Sequence, residues 1–242
     1  MRTVLRTADS LLLVNAAHPI FHEALPDLVC VDPRFPAVQL ERRAAGLLNA
    51  CIRAVGGQDA IVPVSGWRSQ EEQQAIWNDT LTKEGEAFTR QYVALPGCSE
   101  HQTGLAIDLG RASEEIDFIR PDFPYDGVWG AFRQQAADYG FILRYPNGKE
   151  AVTGIAHEPW HFRYVGVPHA RIMAERELTL EEYVTLLRRD YVRRPLVFRT
   201  GSHIFHIQYH REENLPDVSS WSGLYRQVSA DNCGGFVVTD WR

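Results

Sequence analysis

Apolar residues recur at helical spacing between Ala37 and Val55. Val38, Leu40, Ala44, Ala45, Leu47, Leu48, Cys51, Ile52 and Val55 alternate with Arg42, Arg43, Asn49 and Arg53. That pattern predicts an amphipathic helix closed by Gly56-Gly57. IVPVSGWRS (61–69) reads as a β-branched strand running into a turn. QEEQQAIWNDTLTKEG reads as a second helix, with Ser69 and Glu72 spaced as a capping box. Arg68 therefore falls at a strand-to-helix junction, where a scaffold holds side chains at a mouth. Residues 81–98 read as a polar connection. In GLAIDLG (104–110), Leu105, Ile107 and Leu109 would face one side of a strand, Ala106 and Asp108 the other. A loop follows, then a helix over 128–141 ending at Gly140. FILRYP begins a strand, and IAHEPWHFRYV reads as another strand-like segment. Ahead of all this, residues 1–36 look irregular, with LLLVN (11–15) as a short strand.

After Val167-Pro168 the character changes. HARIMAEREL reads as helix or linker, and TLEEYVTLLRRD opens on a second capping box, Thr179 with Glu182. From Pro195 onward, short alternating runs are separated by turns at Thr200-Gly201 and Asn232–Gly235. The pattern predicts a mixture of helices and short strands, followed by a small C-terminal β-module. The expected division is 1–174 and 175–242. HIFHIQYH in the module alternates, placing Phe205, Ile207 and Tyr209 on one face. On a strand, His206 and His210 would stand about 13 Å apart on the solvated face, too far for one metal ion. His18 and His22 share a helical spacing, but Pro19 between them speaks against a helix and a metal role.

The chain has 242 residues, is 45% hydrophobic and carries a formal charge of −6. Such a composition suits a folded protein with a substantial core, and an acidic balance without a Lys/Arg cluster argues against nucleic-acid binding. No apolar run approaches the roughly 18 residues that span a bilayer, and the brief LLLV near the start is too short for an export signal. As written the chain reads as cytoplasmic; a trimmed export segment would make it membrane-associated or extracytoplasmic. Cys30, Cys51, Cys98 and Cys233 form no CxxC pair, so a cysteine zinc site is not expected.

The chemistry gathers in GCSEHQTGLAIDLG (97–110) and HEPWHF (157–162). His101 and Asp108 lie in the first stretch, Glu158 and His161 in the second. Each alone has an ordinary structural explanation; together, two imidazoles and a carboxylate make a donor set that suits zinc. Three protein ligands leave one position for water, the pattern of catalytic sites. Gly104 and Ala106 are small enough to let the chain pass beneath a metal. Glu158 is then free to act as a base on that water.

Ser99-x-His101-x-x-Gly104-x-Ala106-x-Asp108, then Glu158-x-x-His161, with Ser65-Gly66-Trp67-Arg68-Ser69 upstream, resembles the zinc D-Ala-D-Ala peptidases. These share a fold with lysostaphin-type enzymes and the hedgehog signalling domain, and the likeness implies an α+β fold: a small antiparallel sheet carrying a zinc site, flanked by helices, with the small C-terminal β-module added. The likeness is strongest to the D,D-carboxypeptidases and bifunctional D,D-dipeptidase/carboxypeptidases of vancomycin-resistance clusters, and spans residues 10–170 or so. It implies one zinc ion held by His101, Asp108 and His161, with Glu158 as general base. Arg68 would stabilise the oxyanion, Ser99 and Gln73 would hold the substrate's terminal carboxylate, and Trp160 would line the slot for the terminal D-alanine methyl. Trp67 stands where many relatives have tyrosine.

The expected function is thus zinc-dependent D,D-carboxypeptidase action on peptidoglycan precursor peptides ending in D-Ala-D-Ala. The same site could serve a D,D-dipeptidase, a bifunctional enzyme or an L,D-carboxypeptidase, with residues 80–96 expected as a loop that closes over the pocket and decides. A non-catalytic zinc-bearing binding module is the rival from another class; Glu158 and Arg68 together argue against it.

Overall fold

The computed structural model describes residues 4–5, 9–20, 26–214 and 225–242. His22 lies outside the described residues. Eleven strands are described: β1 (Val4–Leu5), β2 (Leu28–Cys30), β3 (Gln39–Glu41), β4 (Ile61–Ser65), β5 (Ala106–Arg111), β6 (Phe141–Leu143), β7 (His161–Tyr164), β8 (Leu196–Thr200), β9 (His203–Arg211), β10 (Tyr225–Ala230) and β11 (Gly235–Trp241). The α-helices are α1 (Arg42–Ala54), α2 (Gln70–Glu84), α3 (Glu86–Tyr92), α4 (Gly127–Ala136), α5 (Glu150–Thr153), α6 (Val167–Arg176) and α7 (Leu180–Asp190). A 3-10 turn spans Glu100–Thr103. The architecture is α+β. A four-stranded antiparallel sheet runs in the order β4-β5-β7-β6, and a five-stranded sheet in the order β1-β10-β11-β9-β8.

Helix α1 buries Ala44, Ala45, Leu48, Cys51 and Ile52 against the four-stranded sheet. It begins later than the apolar pattern implies. Gln39–Glu41 pair with Leu28–Cys30 as a two-stranded ladder, and the Glu41 carboxylate accepts from the Arg43 and Ala44 amides, capping the helix there. Both anticipated capping boxes are present, Ser69 with Glu72 and Thr179 with Glu182. Beneath the sheet Phe123, Phe132 and Phe162 meet edge to face, the arrangement aromatic quadrupoles favour.

Three expected elements differ. Residues 86–92 form α3 rather than open connection: Gly85 at φ +84° ends α2 and admits a new helix held by an Arg90–Glu86 pair and buried only at Thr89. Seven residues with one buried position leave little periodic trace. The expected loop over 80–96 is therefore largely helical. LLLVN is not a strand, because its amides are satisfied irregularly: Leu11 donates to Ser229 Oγ and Leu13 to the Asp231 carbonyl. The strand expected over 155–165 shortens to β7, because Pro159 has no amide to donate and the Glu158 amide turns to the Tyr145 carbonyl.

A second core lies between the two sheets. Leu180, Tyr183, Val184 and Leu187 form one face of α7 and pack with Ile172 and Met173 of α6, Phe205, Ile207 and Tyr209 of β9, and Leu11 and Leu13. Its side chains come from both sides of residue 175.

Candidate metal centre

Asp108 on β5 and His161 on β7 are direct partners in the antiparallel register. Residues so paired project to the same face, which places the two side chains side by side. His101 arrives from the 3-10 turn that precedes β5; Gly104, at φ +70°, closes that turn in a conformation that a side chain would strain. The donor atoms of the three residues lie within 4.8 Å of one another, and all three residues are buried. His101 Nε2 is 3.3 Å from Asp108 Oδ2, and His161 Nδ1 is 3.0 Å from Asp108 Oδ1. A tetrahedral metal with ligand bonds of about 2.0–2.1 Å sets its donors about 3.3–3.4 Å apart.

Other hydrogen bonds decide which atoms remain available. His101 Nδ1 is 2.7 Å from the Gly66 carbonyl and donates to it, which leaves the Nε2 lone pair facing the cluster. Residue 66 is held to glycine by its packing against β3, because a Cβ there would meet the Gln39 carbonyl at 2.2 Å. Among the described residues, His101 Nε2 and Asp108 Oδ1 are buried with no hydrogen-bond partner, although Oδ1 stands close to His161 Nδ1. Short separations without hydrogen-bond geometry fit lone pairs aimed at a common point. The chemistry of the donor set and these unpaired atoms both fit a divalent metal ion.

The electrostatics agree. Burial, then the Arg68 charge, lower the His101 pKa to about 4, keeping it neutral. Burial opposes charge on Asp108, but His101 and His161 outweigh it and hold the carboxyl well below the usual range. At His161 burial is likewise outweighed, chiefly by Asp108, and its pKa rises to about 9. Positive charge is thus most favoured between Asp108 and His161, and a metal cation supplies it as readily as a proton.

Glu158 stands just before β7, with Oε2 3.6 Å from His161 Nδ1. Burial raises its pKa to about 8, Asp108 adding to the effect, against the pull of His161 and Arg68. Arg68 projects into the same cleft; its Nε is buried without a hydrogen-bond partner among the described residues, and burial lowers its pKa against the attraction of Asp108 and Glu158. Ser99, Gln73 and Trp160 also line the cleft. The Ser99 side chain makes no capping bond to the turn it precedes. Gln73 is fully buried and gives one amide hydrogen to the Ala94 carbonyl at 2.7 Å. Trp160 belongs to the core as well as the cleft wall. The structure brings all eight predicted residues to one place.

Sequence reasoning missed three contributors. Tyr145 packs its ring 4.9 Å from that of His161. Glu100 is buried beside His161, and Arg144 is buried behind Glu100. A charged residue directly before His101, with no place in the donor set, was the available signal for Glu100.

Residues 37–167 match the family model of VanY, D-alanyl-D-alanine carboxypeptidase. The chain is 44% identical over 177 residues to the bifunctional D-Ala-D-Ala dipeptidase and carboxypeptidase VanXYC of Enterococcus gallinarum, covering 72% of this chain and 93% of that protein. The crystal structure of the vancomycin-resistance D,D-dipeptidase VanXYg, in complex with a D-Ala-D-Ala phosphinate analog, superposes with a TM-score of 0.90 at 46% identity, over 96% of this chain and 94% of the other. A mutant of the D,D-pentapeptidase VanY from a VanB-type cassette, in complex with Zn(II), matches with a TM-score of 0.62 at 30% identity, over 72% of this chain and 98% of its own. With its motif residues gathered at one buried cluster and these relatives alongside, the chain belongs to the VanY family of D-alanyl-D-alanine carboxypeptidases.

Proposed function

We propose that the protein is a zinc-dependent D,D-carboxypeptidase that removes the terminal D-alanine from peptidoglycan precursor peptides ending in D-Ala-D-Ala. The observation that carries this reading is the buried His101–Asp108–His161 donor set with Glu158 and Arg68 facing the same cleft. His101, Asp108 and His161 would hold one zinc ion per chain. When bound, zinc supplies a Lewis acid that polarises the scissile carbonyl and makes water easier to deprotonate.

The other steps belong to the chain's own side chains. Glu158, with its pKa raised to about 8 by burial, is suited to take a proton from water and return it to the leaving amine, because a base works best with a pKa near the working pH. Arg68 donates to the oxygen on which negative charge develops. Ser99 Oγ and the uncommitted Gln73 amide hydrogen donate to the substrate's terminal carboxylate. Trp160 closes the slot around the D-alanine methyl. These residues fall within 68–161, inside the proposed catalytic unit 1–174.

D,D-dipeptidase activity from the same site is the second reading, favoured by the likeness to a bifunctional enzyme and to a D,D-dipeptidase. The deciding experiment offers a muramyl-type pentapeptide and free D-Ala-D-Ala to the zinc-loaded protein, before and after chelation. Single D-alanine released from the pentapeptide, lost with chelator and restored by zinc, is the expected result. Hydrolysis of the dipeptide alone would replace the carboxypeptidase reading with the second, and turnover of neither would refute both.

A further inference from the structure

We infer that Glu100 is a positioning residue for the metal ligand His161, and that Glu181 on α7 holds it in place through the buried Arg144. The inference rests on the metal reading above. It adds to that reading a link from outside the family-matched residues 37–167.

His161 turns Nδ1 toward Asp108, so its other nitrogen carries the ring hydrogen. That Nε2 lies 3.6 Å from Glu100 Oε2. Glu100 is buried, and its other oxygen accepts a hydrogen bond from Arg144 Nε at 2.7 Å and forms an ion pair with Arg163 Nη1 at 2.8 Å. Among the described residues Oε2 has no hydrogen-bond partner and faces the imidazole. A carboxylate behind a ligating histidine fixes the ring's tautomer and orientation and makes it a better donor; losing such a partner commonly weakens metal binding about 10–100-fold.

Arg144 is itself fully buried and spans two carboxylates. Its Nε serves Glu100, while Nη1 and Nη2 meet Glu181 Oε2 at 3.0 Å and Oε1 at 2.6 Å. That two-point grip sets the plane of the guanidinium, and therefore the place of Glu100. Glu181 lies in the first turn of α7, which the Thr179–Glu182 capping box anchors. Arg163 is tied separately to the Ser10 and Leu12 carbonyls. Two carboxylates and two guanidiniums balance, so the network is neutral as a whole while leaving one carboxylate oxygen directed at His161.

A purely structural clamp between α7 and the catalytic sheet would use the same four residues, and metal affinity and ligand field distinguish the two roles. Wild-type protein, Glu100→Gln and Glu181→Gln are compared by zinc competition against a chelator, by the visible absorption of the cobalt(II)-substituted protein, by thermal melting, and by kcat and KM. Glu100→Gln is expected to weaken zinc by about 10-fold or more, to shift the cobalt bands, and to lower kcat more than it raises KM. Glu181→Gln is expected to do the same more weakly, by about 3-fold, since Glu100 keeps Arg163. A folded Glu100→Gln with wild-type zinc affinity and cobalt spectrum overturns the inference, whatever its melting temperature. If Glu100→Gln does not fold, Glu181→Gln decides: reduced affinity upholds the link and unchanged affinity refutes it. Failure of the wild-type protein to bind zinc or cobalt would appear before any variant is made, and would remove the metal reading itself.

Discussion

In the four-stranded sheet, Asp108 and His161 stand opposite each other on neighbouring strands, and His101 comes in from the turn before β5. In the five-stranded sheet, His203, His206 and His210 follow one another along the single strand β9. The second set has more histidines in fewer residues, yet only the first converges among the described residues. His206 lies opposite Asp240, but that carboxylate is engaged by Arg226 at 2.7 Å. Along one strand, side chains of the same face recede from each other by two residues at a time; across a ladder they stand within about 5.5 Å. A metal centre thus depends on cross-strand register and burial rather than on histidine density.

The largest effect expected from breaking this contrast is at a ligand. His161→Ala should abolish tight zinc binding and lower kcat/KM by about 10³-fold or more, since the metal contributes several kcal/mol to the transition state. Titration with zinc and peptide turnover check both halves. Next comes Glu158→Ala, expected to lose about 10²–10⁴-fold in kcat while retaining zinc; loss of zinc together with activity would make Glu158 a ligand instead. Arg68→Ala should cost about 10²–10³-fold in kcat, and an unchanged kcat would exclude its role at the oxyanion.

A smaller effect concerns a histidine that packs rather than binds. His169 on α6 is buried between Tyr183 Oη at 2.8 Å and Thr239 Oγ1 at 3.1 Å. Burial lowers its pKa from the ordinary 6.5 to about 3. The unfolded chain therefore takes up a proton there before the folded one does. The stability this neutral histidine supports is complete above pH 6.5 and falls as the pH drops from 6.5 toward 3. The slope contributed is up to about 1.4 kcal/mol per pH unit. Denaturant melts of wild type and His169→Gln between pH 7 and 5 should show the variant losing less stability over that range; parallel curves would contradict the assignment. The smallest effect is expected from His206→Ala with His210→Ala: zinc affinity and turnover within about twofold of wild type. A marked loss of zinc would erase the contrast between the two sheets.

Ser69 with Glu72 and Thr179 with Glu182 were legible because a capping box is local: its donors and acceptors lie three residues apart on one chain. The alternation of Phe205, Ile207 and Tyr209 survived for the same reason, since a strand face is a period of two. α3 and the irregular path of Leu11–Val14 were not legible. The first buries too little to leave a period, and the second is held by partners more than two hundred residues away in sequence, Ser229 and Asp231.

The amino-acid sequence by itself singled out the candidate metal donors and base, because His101, Asp108, Glu158 and His161 sit in short motifs whose chemistry follows from residue type and spacing, while Arg68, Ser99, Gln73 and Trp160 came from the family resemblance that those motifs carry. The tertiary structure alone decided which atoms they present. The β5–β7 register sets Asp108 against His161, the Gly66 carbonyl assigns the tautomer of His101, and burial separates the acidity of Glu158 from that of Asp108. It alone brings Glu181 through Arg144 to Glu100, joining residues far apart in the chain by ion pairs made where water is excluded. Spacing along a chain encodes local geometry; convergence, tautomer and pKa depend on neighbours that only folding supplies.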